Sequence, residues 1–288
     1  MALGTRPYTY RLVEGWAKLP RWWELGETAD VAISPEGLVY VFCRGAHPVL
    51  VFERDGRFVS SWGEGQFRNP HGLTFAPDGT LYLVDRDSHV VLQYTPDGRL
   101  LKTIGNRDQP SPTLFGRPFN MPAKVAFAAS GHFFVADGYG NRRVHKFAPD
   151  GTHLLSWGEP GNGPGQFVLV HSLIVDPQGR VLVCDRENDR IQIFDQEGRF
   201  QGQWTGLRRP AALALDREGK LFVAELGSRN APPRVSIWTL EGQCLSSWDS
   251  QQVPSMVAPH GIAVDANGDI YLAEVLQGRR LHKFARVS

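Results

Sequence analysis

Six times along this chain the same phrase returns: a hydrophobic run, a turn ending in glycine, a second run that closes on an acidic residue in all but the first copy, a loop and a third run, followed in five copies by another glycine turn. The first turn glycines, Gly37, Gly79, Gly131, Gly179, Gly219 and Gly268, set the register. Copies run over about 30–63, 69–105, 121–158, 169–205, 208–249 and 258–288. A repeat of this length constrains the fold before composition does, because one unit cannot bury its hydrophobic face alone and must stack on a neighbour.

Each copy offers four short extended segments, in the second copy HGLTFA, TLYLVD, HVVLQY and RLLKTIG. Between them stand PEG, PDG, ASG, PQG, REG and ANG, then RDG, PDG, PDG, QEG and LEG. Asp-Gly and similar pairs between hydrophobic runs signal hairpins, since glycine tolerates positive φ. No segment sustains a helical period. Four strands per repeat unit of about 40–50 residues predict a propeller blade, and six copies predict an all-β, six-bladed β-propeller. The last copy stops after its third strand, LHKFARVS, and the N-terminal TYRLVEGW (Thr9–Trp16) matches the missing outer strand. Closing blade six with that strand removes an open edge and makes residues 1–288 one domain.

Strands alternate in direction, so both kinds of glycine turn fall on one face and the remaining connections on the other. The irregular segments Asn106–Phe119, Glu159–Phe167, Gly227–Arg234 and Asp249–Val257 all belong to that second face. Tight turns on one side and long loops on the other separate scaffold from site.

Eight residues before the turn glycines stand Ala29, His71, Ala123, His171, Ala211 and His260. In a closed six-bladed ring, histidines of alternate blades would meet near the axis. Three converging imidazoles suit zinc, with another divalent transition metal as the alternative and a fourth position open to water or substrate. Alanines between them leave room for a ligand. The other histidines (His47, His89, His132, His145, His153 and His282) share no register and read as surface or loop residues.

Seven residues after the turn glycines stand Arg44, Arg86, Gly138, Arg186, Leu226 and Val275, each preceded by an acid except at Cys43. The acids (Asp85, Asp137, Asp185, Glu225, Glu274) read as acceptors for neighbouring loops. Guanidinium clamps carboxylates through paired hydrogen bonds, which singles out Arg44 and Arg186 for an anionic substrate. Arg86 is set aside because Asp85 and Asp87 flank it. Tyr139, in DGYGNRR, lies at the same end of blade three, where nearby positive charge would favour its phenolate. Trp16, Trp62, Trp157, Trp204 and Trp248 close outer strands and read as packing between blades.

Composition narrows the partners. The 31 basic and 30 acidic residues leave a net charge of +1, with no basic run to hold nucleic acid. No apolar stretch reaches the roughly 20 residues of a membrane span, and the N-terminus lacks a signal-peptide core. The three cysteines, odd in number and far apart, suggest no disulfide framework. A cytoplasmic monomer acting on a small molecule or short peptide with a carboxylate is the expectation.

The segments FCRGAHPV, NPHGLTFAPDG, VADGYGNRRVHKFAPDG, PGQFVLVHSLIVDPQG, DRENDRIQIF and APHGIAVD resemble the NHL-repeat propellers, and among them the peptidyl-α-hydroxyglycine α-amidating lyase family. The resemblance covers most of the chain from about blade one. It implies a catalytic zinc on His71, His171 and His260, Tyr139 as base, and Arg44 and Arg186 as active-site arginines. The implied reaction cleaves the N–Cα bond of a peptidyl- or acyl-α-hydroxyglycine into an amide and glyoxylate. Ala258 stands where the family carries a pocket methionine. Gly261 stands where animal enzymes have an acid at a structural calcium site, so calcium is in doubt. The disulfide cysteines of the secreted enzymes and the copper monooxygenase half are missing from this sequence.

Two other readings compete. A metal-dependent hydrolase of the lactonase kind could use the same scaffold, but such propellers usually hold calcium with Asp, Glu and Asn, not with three histidines. A non-catalytic NHL scaffold for protein or RNA would need neither the His/Ala alternation nor balanced charge.

Overall fold

A computed structural model describes residues 2–112, 119–228 and 230–287. The chain divides into two compact units, Gly65–Pro210 and Met1–Glu64 with Ala211–Ser288. Six antiparallel sheets follow the repeat, five of them four-strand meanders and the sixth five-stranded, and the fold class is the all-β, six-bladed propeller expected. Among the described residues no helix is long and apolar enough to cross a membrane.

The Gly65–Pro210 unit holds blades two to four. Blade three is typical, with strands Lys124–Phe127, Phe133–Asp137, Arg143–Phe147 and His153–Trp157. Its second strand is buried throughout, and its alternating side chains feed two different packing layers. Phe133 and Val135 join Tyr82, Val84 and Val91 of blade two. Phe134 and Ala136 join Leu173, Val181, Val183 and Phe194 of blade four. Consecutive hydrophobic residues in one strand therefore mark a strand covered on both faces, as in all blades.

The other unit holds blades one, five and six. Strand Tyr8–Val13 pairs antiparallel with Arg280–Arg286, so the N-terminus completes blade six as expected. The strand ends earlier than the sequence motif, and a further strand, Leu3–Thr5, pairs on its outer edge. Trp16 leaves the sheet, and its indole donates to the Arg54 carbonyl (2.9 Å) beside Phe52 and Tyr271. Trp248 is likewise buried against Tyr10 and Phe284.

The first turns are uniform. In blade two the Gly79 N–H donates to Ala76 O (3.0 Å) with φ at 82°, a conformation costly to any residue with a Cβ. The opposite ends vary. Glu159–Pro160 pairs parallel with Gln166–Phe167 inside a glycine-rich connection. Residues 113–118 of the Asn106–Phe119 connection, residue 229 of Gly227–Arg234 and residue 288 at the end of the sixth copy lie outside the described residues.

The register acids accept hydrogen bonds, as read from the sequence. Asp85 takes the N–H groups of Arg68 and Asn69, and Glu274 those of Val257 and Ala258. One sequence expectation fails beside them. His145 and His282 are buried, and each bonds its blade's acid at 3.0 Å, His145 to Asp137 and His282 to Glu274. His89 is buried too and accepts from Met121 N–H at 3.1 Å. The reason lies in strand pairing: His145 faces Val135, Gln192 faces Val183, Ser236 faces Val223 and His282 faces Leu272. A polar residue at that third-strand position reaches the acid, and Gln192 and Ser236 bond theirs too.

Candidate metal centre

The histidine register coincides with a β-bulge. In blade four Val170 faces Asp185 while Ser172 faces Cys184, leaving His171 as the extra residue. His260 is extra in blade six, between Pro259↔Glu274 and Gly261↔Ala273. In blade two the register jumps from Pro70↔Asp85 to Leu73↔Leu83 across His71 and Gly72. A bulge re-aims the inserted side chain out of the sheet's alternation. Blade one has the same bulge at Ala29, between Thr28↔Cys43 and Asp30↔Phe42, so the backbone device belongs to the repeat and the side chain decides its use.

All three histidines are buried, and each offers one ring nitrogen such that these atoms lie within 4.8 Å of one another. His71 Nδ1 lies 2.8 Å from the Ala123 carbonyl, and His260 Nδ1 lies 2.7 Å from the Ala29 carbonyl. A carbonyl only accepts, so both rings carry their proton on Nδ1 and keep the Nε2 lone pair available. The carbonyl partners are the alanines of the same register in another blade. Close approach of that backbone also explains the glycine after each of these histidines. A Cβ on Gly72 would lie 2.4 Å from Ala123 O, and one on Gly261 would lie 3.0 Å from Ala29 O and 2.5 Å from Asp30 Oδ1. The His-Gly pairs are thus packing requirements of a fixed imidazole. No acidic side chain fits at Gly261 without moving Asp30.

Around His71 the Gly65–Pro210 unit gathers Tyr139, His171, Arg86 and Arg186. The Tyr139 hydroxyl donates to His71 Nε2 at 3.1 Å and accepts from Arg186 Nη1 at 3.4 Å. The His71 and His171 ring centroids are 5.0 Å apart, and the Tyr139 ring is 5.3 Å from the first and 5.7 Å from the second. Two glycines set the backbone that carries the tyrosine. A Cβ on Gly138 would fall 1.9 Å from Val170 O, and one on Gly140 would meet Asn120 O at 2.5 Å. Glycine thus replaces the arginine of this register in blade three because the main chain of blade four passes there.

Arg186 is held by Glu187 (2.8 Å), itself bonded by Arg209 at 2.7 Å. Burial alone would push Glu187 up, but these guanidinium groups hold its carboxyl below the ordinary range. Arg44 ends the second strand of blade one, where its Nη1 donates to Glu27 at 2.8 Å. Arg86, set aside on sequence grounds, pairs with Asp87 at 2.7 Å and not with Asp85, and its guanidinium also lies 4.8 Å from the Tyr139 ring centroid. Its register shared with Arg44 and Arg186 was the signal that could have found it. Ala258 is buried with Ala29 and Val275, with Leu226 packed beside them.

A zinc or similar ion fits this donor set. Neutral imidazoles with the proton fixed away from the ligand nitrogen are the form in which histidine binds metal, and the carbonyls behind His71 and His260 are orienting partners of the usual kind.

The NHL repeat model matches residues 119–147 and 167–194, most of blades three and four. NHL repeat-containing protein 3 of Homo sapiens is 34% identical over 298 aligned residues, covering 94% of this chain and 83% of that protein. Peptidyl-alpha-hydroxyglycine alpha-amidating lyase 1 of Drosophila melanogaster is 34% identical over 267 residues, covering 81% of this chain and 47% of the lyase. Among solved structures, a gluconolactonase from Xanthomonas campestris aligns with a TM-score of 0.68 at 14% identity, over 100% of this chain and 98% of its own. At that identity the likeness is one of fold alone.

Proposed function

Because the chain belongs to the NHL-repeat family that includes NHL repeat-containing protein 3, and has amidating lyases among its relatives, we propose that it is a metal-dependent carbon–nitrogen lyase acting on a peptidyl- or acyl-α-hydroxyglycine. The observation that carries the reading is a group of three buried histidine nitrogens with a tyrosine hydroxyl bonded to one of them. His71, His171 and His260 are the ligands, and zinc is the metal their chemistry favours. When bound, the ion supplies a Lewis acid for the substrate hydroxyl.

The chain's own residues do the rest. Tyr139, as the phenolate and no longer donating to His71 as its hydroxyl does here, takes the proton of the α-hydroxyl and can return it to the leaving nitrogen. The oxygen's electron pair then forms the aldehyde carbonyl as the N–Cα bond breaks, and the departing amide nitrogen gains a proton. Products are a primary amide and glyoxylate, with no redox change. Arg186 and Arg44 hold the substrate carboxylate and stabilise the charge that develops in the transition state. Glu187 and Glu27 fix those guanidinium groups before substrate arrives, so little ordering remains to be done at binding.

The test is elemental analysis of tag-free protein beside His171→Ala, followed by an assay of glyoxylate release from an N-acyl-α-hydroxyglycine. About one equivalent of zinc in the wild type, lost in the variant, together with glyoxylate release, supports the lyase. Metal without glyoxylate release, accompanied by lactone ring-opening, would move the reading to a hydrolase. No metal in either protein would leave a binding scaffold.

A further inference from the structure

We propose that Arg86 is a positioning residue for Tyr139, the blade-two counterpart of Arg186; the inference rests on the lyase reading for the role of that tyrosine. Arg86 and Arg186 occupy the same repeat register, and the structure uses them alike. Each guanidinium donates its Nε to the carboxylate of the next residue, Arg86 to Asp87 (2.7 Å) and Arg186 to Glu187 (2.8 Å). Each then lies near the Tyr139 ring, with Cζ 4.8 Å from its centroid for Arg86 and 5.7 Å for Arg186.

An arginine beside an acid in sequence is ordinarily a solvated pair of little consequence. Three features set Arg86 apart. Its side chain is 23% exposed, so it lies mostly out of solvent. Asp87 is not a free surface acid: Asn69 Nδ2 donates to its second oxygen at 2.8 Å, and Asn69 sits two residues before His71. The acid therefore ties Arg86 to the chain segment that carries the metal-ligand candidate. Finally, the arginine closer to the tyrosine ring is Arg86, in the range where a cation is attracted to an aromatic face.

The geometric consequence concerns one torsion. His71 holds the Tyr139 hydroxyl from one side and Arg186 donates to it from another, while the ring packs against the core shared by blades three and four and lies 5.7 Å from the His171 ring. Arg86 adds the nearer of two guanidinium contacts to that ring. A displacement of about 1 Å in a reacting group costs on the order of a hundredfold in rate, so a residue that never touches substrate can still be needed for turnover.

Three variants and two readouts test this. Arg86→Ala removes the contact, Arg86→Lys keeps the charge without the planar fork, and Asp87→Asn releases Arg86 while leaving it in place. For glyoxylate release, Arg86→Ala should lower kcat by about a hundredfold with KM changed by less than about threefold. Arg86→Lys should recover part of the loss, and Asp87→Asn should lose about tenfold. The second readout needs no activity. In protein labelled with ring-13C tyrosine, the Tyr139 resonance, assigned through Tyr139→Phe, should shift in Arg86→Ala and less in Arg86→Lys, with bound metal unchanged. A raised KM with kcat intact would make Arg86 a substrate ligand and overturn the proposal. An unmoved Tyr139 resonance in Arg86→Ala would overturn it as well. Absence of glyoxylate release from the wild type would instead refute the lyase reading, while the resonance would still decide whether Arg86 positions the tyrosine.

Discussion

Blade two and blade six use one backbone device for two different surroundings. In both, the histidine sits in a bulge of the inner strand, its Nδ1 faces an alanine carbonyl, and a glycine follows because that carbonyl's strand passes close by. Beside His71, however, stand Tyr139 and two arginines, whereas the strand ends of blades five and six carry Leu226 and Val275, packed in an apolar cluster with Ala258 and with Ala29, whose carbonyl His260 faces. The difference arises where the second strands end: blades two and four carry Arg86 and Arg186, blade three follows Gly138 with Tyr139, and blades five and six carry Leu226 and Val275. The bulge that re-aims these side chains is thus built into the repeat, while the polar surroundings of His71 come from residues at and just beyond the ends of second strands.

Exchanging tyrosine for phenylalanine separates the two properties most sharply. Tyr139→Phe should lower glyoxylate release by about a thousandfold, in the range of a lost general base, while zinc content stays near that of the wild type. Full activity in that variant would show that the tyrosine beside His71 adds no chemistry to the shared device. If the device is truly shared, His71→Ala and His260→Ala should lose metal to the same degree, each retaining less than about a tenth of an equivalent after dialysis. Unequal loss, read by elemental analysis, would break the equivalence of the two blades.

A smaller effect should follow from filling the space beside the tyrosine. Gly138→Ala would place a methyl group 1.9 Å from the Val170 carbonyl. Main chain must move to relieve that contact, so the variant should unfold about 3 kcal/mol more easily in urea and lose turnover as Tyr139 shifts. Alanine at Gly37, whose Cβ would meet nothing within 4 Å, should cost less, because only its positive φ is at stake.

The smallest expected effect is on acid stability. Burial would raise the pKa of Asp87 and Glu187, but bonds from Arg86 and Asn69, and from Arg209 and Arg186, hold both below the ordinary carboxylate range. A depressed folded-state pKa means stability that is present above the unfolded value, near 4, and lost as pH falls through the lower folded value. Below about pH 4 the wild type should therefore lose more stability than an Asp87→Asn/Glu187→Gln double variant. Parallel curves in acid urea titrations would show that the arginine–acid pairs beside Tyr139 contribute nothing to folding.

Much of this was legible in the chain itself. Turn glycines, strand periodicity and the missing sixth outer strand are local signals, since a tight turn needs positive φ wherever it falls and an open edge needs a partner. They were sufficient for the blade count and for the role of the N-terminus. The alternation of His71, His171 and His260 with alanine likewise survives as a register because every blade repeats the same backbone. The bulge that turns those side chains out of the sheet was not legible, because it depends on which residue of the next strand each one faces. The burial of His145 and His282 escaped for the same reason: only cross-strand pairing, opposite Val135 and Leu272, brings them within reach of the register acids. Arg86 shows the limit most plainly. Its neighbours in sequence gave two acids to choose between, and the choice of Asp87, with the guanidinium turned over Tyr139, was made by Asn69 and by a tyrosine 53 positions away, contacts that exist only once blades two and three have packed.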